Sequence, residues 1–167
     1  PELAAIGEIG LDYFHSPPEG FTEDSWRARQ LEIFEIQLQL AIDSDLPVVI
    51  HQRNSAEDVT AVLKQFSKVR AVLHCFTGTV PEAEAALELG HLISFTGILT
   101  FPNAHEIRDV AALVPADRIM VETDCPFLAP VPFRGKRCEP TMVSHTASAL
   151  ADVFGVSKEE IAATTTC

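Results

Sequence analysis

Short apolar runs alternate with amphipathic helical segments along this chain, and four of the runs finish on a side chain that binds hard or borderline metal ions. Ala4-Ala5-Ile6-Gly7 leads into Glu8, Val48-Val49-Ile50 into His51, Ala71-Val72-Leu73 into His74, and Ile119-Met120-Val121 into Glu122 and Asp124. Strand and helix in regular succession predict parallel strands joined by right-handed crossovers, so all strand C-termini share one edge. A buried strand stays apolar until it leaves the core, and chemically active residues at the same end of successive strands imply a common rim. Carboxylates and imidazoles gathered there point to a metal site.

Five strands are expected, around Ala4 to Glu8, Val48 to His51, Val72 to Phe76, Leu92 to Phe95 and Ile119 to Glu122. Thr22 can cap a helix with Glu23 and Asp24 in its first turn and Leu31, Phe34, Leu38 and Ile42 on its buried face. Ser55 with Asp58, Thr79 with Glu82, and Asn103 with Glu106 have capping-box spacing ahead of three further helices. Gly90 stops the second of these, and the third ends near Pro115. A helix from Met142 to Phe154 halts at Gly155, and Ser157 with Glu160 opens another.

With 167 residues, 47% of them hydrophobic, the chain has material for one domain spanning 1–167 with a real core. A closed barrel of eight βα units takes about 250 residues. The sequence therefore reads either as a smaller doubly wound sheet or as part of a barrel, and its opening at Pro1, almost directly in a strand, favours the second. No stretch is apolar enough to span a bilayer and no signal peptide is evident, so a soluble, cytoplasmic protein is expected. Cys75, Cys125, Cys138 and Cys167 lack paired spacing and read as reduced thiols.

The net charge of −12 repels phosphate backbones and argues against passive coating of nucleic acid. It is compatible with an enzyme acting on a polyanion, because a bound divalent cation inverts the local sign. Arg134, Lys136 and Arg137 form the one compact basic cluster; substrate contact, a solvated loop and an Arg137–Glu139 ion pair are all open readings. Glu8 and Asp124 have plainer readings as loop acceptor and turn former, and Arg53 as partner of a surface carboxylate. Glu122, two residues before Asp124, ranks below it as a candidate. Cys75, next to His74 on a strand, falls on the opposite face and reads as a buried thiol. His15, His91, His105 and His145 read as surface residues.

The strings GEIGLDYF (Gly7 to Phe14), PVVIHQR (Pro47 to Arg53), VLHCFTG (Val72 to Gly78), ISFTGILTF (Ile93 to Phe101), VETDCPFLAP (Val121 to Pro130) and PFRGKRCEP (Pro132 to Pro140) resemble, in order and setting, those of the TatD family of metal-dependent deoxyribonucleases. The resemblance implies an α/β fold, a parallel (β/α) barrel of TIM type. It implies hydrolysis of DNA phosphodiesters with divalent Mg, Mn or Zn, two ions in the complete enzyme, in the 3′ to 5′ direction. DNA, with RNA as an alternative, is then the partner, and no membrane or obligate protein partner is expected. By the same resemblance Glu8, His51, His74 and Asp124 are metal ligands, Asp124 also handles a proton of the attacking water, and Arg53 faces substrate.

Against the family pattern, nothing here matches the His-x-His pair of the first barrel strand, and the Asn-Ala segment expected after Thr164 is missing. Cys125 and Cys138 stand where serine and asparagine are usual. The expectation is a partial barrel lacking the first βα units, truncated at both ends. Two other readings stand beside the nuclease: a hydrolase of the same barrel type acting on an amide, ester or aminoacyl-tRNA bond, and a catalytically inactive fragment.

Overall fold

The structure, a computed structural model, describes residues 3–166. They fall into two compact units, one reaching to His74 and including Glu88–His91, the other comprising Cys75–Leu87 and the chain from Leu92 onward.

The first unit is built from β1 (Ile6–Asp12), α1 (Glu23–Asp43), β2 (Val48–Arg53), α2 (Ala56–Gln65) and β3 (Ala71–Leu73). β2 pairs in parallel with both β1 and β3. Side chains alternate across each strand. Ile9 and Leu11 of β1 and Val48 and Ile50 of β2 enter a core with Phe34, Leu38 and Ala41 of α1 and Val59, Val62 and Leu63 of α2. Leu31 and Ile42 pack at its edge, so the expected helix face is the buried one. Thr22 caps α1 through a reciprocal box with Ser25.

Several boundaries differ from expectation, each for a tertiary reason. β1 begins two residues later than expected and runs to Asp12, because its backbone follows β2 as far as Arg53. Glu8 thus lies within the strand, where the register slips between Ile6 and Ile9: three steps on β1 oppose two on β2. Such a bulge re-aims a side chain. β3 stops at Leu73; the His74 amide still donates to the Ile50 carbonyl, but Cys75 turns away with φ of 46°. Ser55 makes no cap bond at α2, since its hydroxyl donates to the Leu11 carbonyl at 2.7 Å, while Asp58 accepts from the Tyr13 phenol, also at 2.7 Å. Burial, then this hydrogen bond, pushes the Tyr13 pKa well above its usual value.

His91 is buried in the first unit. Expected at the surface, it is only 2% exposed, and its Nε2 finds no hydrogen-bond partner among the described residues. Burial pushes its pKa below the ordinary histidine value. The unfolded chain therefore takes up this proton first: the stability His91 contributes is complete above about pH 6.5 and is lost as pH falls toward the folded-state value. Urea midpoints compared at pH 8 and pH 5 are expected to drop less for His91→Leu than for the parent chain; equal drops would refute the assignment.

The second unit holds α3 (Val80–Glu88), β4 (Leu92–Phe95), α4 (His105–Leu113), β5 (Ile119–Val121), α5 (Val143–Phe154) and α6 (Lys158–Thr164). β4 and β5 pair in parallel, with Ile93 opposite Ile119 and Phe95 opposite Val121. Ile93, Phe95 and Leu150 are fully buried. At α3 the Thr79 amide donates to the Glu82 carboxylate at 2.7 Å, one arm of the expected box. Asn103 caps nothing; Ala104 occupies the position before α4 without a side-chain bond. Gly155 ends α5 at φ of 66°, and Ser157 with Glu160 forms both arms of the box at α6, as expected.

Cys75, Cys125 and Cys138 take part in no disulfide, and Cys167 lies outside the described residues. Among the described residues, no helix is long and apolar enough to cross a membrane.

Candidate metal centre

Three of the four expected ligands converge within the first unit. His51 Nδ1 and His74 Nε2 each lie 2.8 Å from the same atom, Glu8 Oε1. The three donor atoms are all within 4.8 Å of one another. Tetrahedral ligands at ordinary metal–nitrogen and metal–oxygen lengths stand about 3.4 Å apart, so small side-chain adjustments would seat a cation at this focus. Two imidazoles and a carboxylate form a mixed set suited to borderline divalent ions. The residues fit the group the resemblance implies.

The local folding explains the convergence. His51 and Val49 alternate with the core residues Val48 and Ile50, which sends the imidazole to the face away from α1 and α2. The bulge at Gly7 and Glu8 turns the carboxylate toward it. Gly10 pairs with His51 across β1 and β2, and a Cβ there would run into the His51 carbonyl. Glycine lets the two strands lie this close.

Behind His51 stands Asp12, which sequence reasoning missed. Asp12 Oδ2 is 3.3 Å from His51 Nε2 and 2.8 Å from His15 Nδ1, while Oδ1 accepts from the amides of Phe14 at 2.9 Å and His15 at 3.2 Å. Gln30 clamps the Asp12 backbone, accepting from its N–H at 2.8 Å and donating to its carbonyl at 3.0 Å. Burial alone would raise the Asp12 pKa; the hydrogen bonds from His15, the two amides and His51 outweigh it and hold the carboxyl below its usual value. An ionised carboxylate only accepts, so with a cation held at Nδ1 the proton of His51 would sit on Nε2 and be donated to Asp12. Period-two alternation puts Asp12 on the face of Gly10, opposite Arg53 and two positions past His51, which is the signal that would have found it.

The other expected site residues are placed as follows. Asp124 belongs to the second unit, half-buried in a turn closed by the Phe127 amide on its own carbonyl at 2.7 Å. Glu122 Oε1 accepts from the Cys75 amide at 2.6 Å. Cys75 is half-buried, beyond the end of β3, with its sulfur 3.6 Å from Thr96 Oγ1. Arg53 is exposed with its guanidinium 3.9 Å over the Phe14 ring. In the basic loop, Arg134 lies 3.7 Å over Phe101 and Lys136 5.8 Å from Phe133. His15 and His105 are exposed as expected, yet bonded to Asp12 and Arg108; His145 is half-buried, edge-on to Phe133.

Comparison with known proteins agrees with this geometry. The family model described as TatD related DNase matches residues 1–167. The chain is 43% identical over 166 residues to the uncharacterized metal-dependent hydrolase YcfH of Escherichia coli K12, covering 98% of this chain and 60% of that protein. It is 39% identical over 174 residues to the 3'-5' ssDNA/RNA exonuclease TatD of Erwinia tasmaniensis, covering 99% and 64%. Among solved structures, YJJV, a TatD homolog from Escherichia coli, superposes with a TM-score of 0.85 at 32% identity, covering 98% of this chain and 61% of that one. The chain thus spans roughly three-fifths of the length of the relatives it matches, in keeping with a partial barrel of TIM type. Parallel strands, a carboxylate and two imidazoles at one focus, and a family match along its whole length make the chain a member of the TatD-related DNase family.

Proposed function

We propose that this chain forms the ligand-bearing portion of a divalent-metal-dependent hydrolase that cleaves DNA phosphodiesters from the 3′ end. The observation that carries the reading is the meeting of His51 Nδ1 and His74 Nε2 on one oxygen of Glu8. A divalent ion bound there would polarise a phosphoryl oxygen and bring the pKa of water toward neutrality.

The chain's own groups supply the rest. Glu8, His51 and His74 hold the ion, and Asp12 fixes the ring of His51. Asp124 is our candidate for a further ligand and for the base that takes a proton from the attacking water. Arg53, charged and exposed, meets a phosphate of the substrate. Two imidazole donors favour Zn over Mg. Support for nucleic acid as substrate comes from the likeness to the Erwinia tasmaniensis relative, a 3'-5' ssDNA/RNA exonuclease.

The test is a 5′-labelled single-stranded oligodeoxynucleotide incubated with the metal-loaded protein. A ladder shortening from the 3′ end, abolished by chelator and slowed about a hundredfold or more by Asp124→Asn, is the expected result. Intact DNA beside hydrolysis of a carboxylic ester or amide would replace the nuclease reading with the broader hydrolase one.

A further inference from the structure

A cavity of about 260 Å³ opens beside the metal-ligand group, walled by Asp12, His15, Ser16, Pro18, Trp26 and Gln30. Asp12 belongs to both places, since its carboxylate also touches His51. The wall is rich in flat surface: an indole, an imidazole and a proline ring. Its polar groups are largely committed. Asp12 already accepts four hydrogen bonds, about the capacity of a carboxylate. Gln30 is bound at both ends to the Asp12 backbone. Such a wall offers stacking area and little edge-specific hydrogen bonding.

The surroundings of the cavity add charge and more rings. Phe14 is 57% exposed beneath the Arg53 guanidinium and stands edge-on to His15 at 5.3 Å. Phe21, 43% exposed, is edge-on to Trp26 at 5.2 Å, and Arg27 lies 4.6 Å over Tyr13. Large aromatic rings left in water beside cations, on a chain of net charge −12, need a reason. Successive bases stacking on aromatic side chains while cations follow the phosphates is the general mode of single-strand binding. The volume, below the roughly 300–1,000 Å³ of pockets for drug-sized ligands, suits one ring system.

We propose that this cavity seats one unstacked base of a single-stranded nucleic acid, its face against Trp26, with Arg53 meeting the adjoining phosphate. The proposal deepens the hydrolase reading and rests on it, because the seat takes its purpose from adjoining Glu8, His51 and His74. Stacking is indifferent to base identity, so pentanucleotides of thymidine and of deoxyadenosine are expected to bind within a few-fold of each other. A base held in a duplex would have to be extruded first.

Trp26 is the chain's single tryptophan, which makes it the probe. With divalent ions chelated, so that nothing is cleaved, a thymidine pentanucleotide is titrated into the full chain and Trp26 emission is followed. Saturable quenching is expected. By anisotropy of the fluorescein-labelled pentanucleotide, Trp26→Leu should weaken binding about five- to hundredfold, and Trp26→Phe should restore most of it. Unresponsive Trp26 emission, or a folded Trp26→Leu that binds as the parent does, overturns the proposal. Calorimetric titration with Mn²⁺ separates the two readings. Normal Mn²⁺ binding with no oligonucleotide response refutes the base seat alone, whereas quenching in a protein that binds no Mn²⁺ refutes the metal reading and supports the seat.

Discussion

Glu8→Ala is expected to weaken binding of Mn²⁺ or Zn²⁺ by about a hundredfold or more, above the ten- to hundredfold typical of residues that only orient a ligand. Glu8 supplies the anionic donor and the single oxygen on which both imidazoles converge, so its loss removes a ligand and unpairs two others. Its side chain is 50% exposed, and substitutions at such positions usually change stability by less than about 0.5 kcal/mol. Calorimetry on a protein with an unchanged melting midpoint therefore reads the ligand role directly. Asp12→Asn should fall between the parent and Glu8→Ala, because asparagine can still accept from His51 but without charge. Equal metal affinity in all three proteins would remove Glu8 from the ligand set.

The largest effect on stability is expected at Phe34. Fully buried, it packs in the core that α1 shares with β1, β2 and α2. Truncation leaves a cavity as well as forfeiting transfer energy, and Phe34→Ala should cost about 3–5 kcal/mol. At about 2–4 °C per kcal/mol for a chain of this size, the melting midpoint should fall by roughly 6–20 °C. The same change at Phe14, which is 57% exposed, should move it little. A Phe34→Ala midpoint within a degree or two of the parent would contradict the packing described for α1.

How much of this could be read from the residues follows from where the forces are local. The α1 face of Leu31, Phe34, Leu38 and Ile42, the α6 box of Ser157 with Glu160, and the Gly155 stop depend on neighbours within a few positions, and all were legible. Glu8, His51 and His74 were legible as ligand types following apolar runs, although Glu8 sits inside its strand. Strand length was not, because β1 extends to Asp12 through pairing with β2, a partner about forty positions away. Ser55 has the chemistry of a cap, yet the Leu11 carbonyl from a distant strand takes its hydroxyl. His91 resembles a surface histidine in sequence, and only the packed fold buries it. Asp12 lay in plain view on the right strand face; its role depends on His51 and Gln30, which the chain brings to it only on folding.

Whether Glu8, His51 and His74 hold a cation is decided by crystals soaked in Mn²⁺ and measured at the manganese absorption edge. An anomalous peak is expected within bonding distance of a Glu8 carboxylate oxygen, His51 Nδ1 and His74 Nε2, with His51 Nε2 still directed at Asp12. Well-ordered side chains with no peak among them, or manganese held only by carboxylates elsewhere, would contradict it.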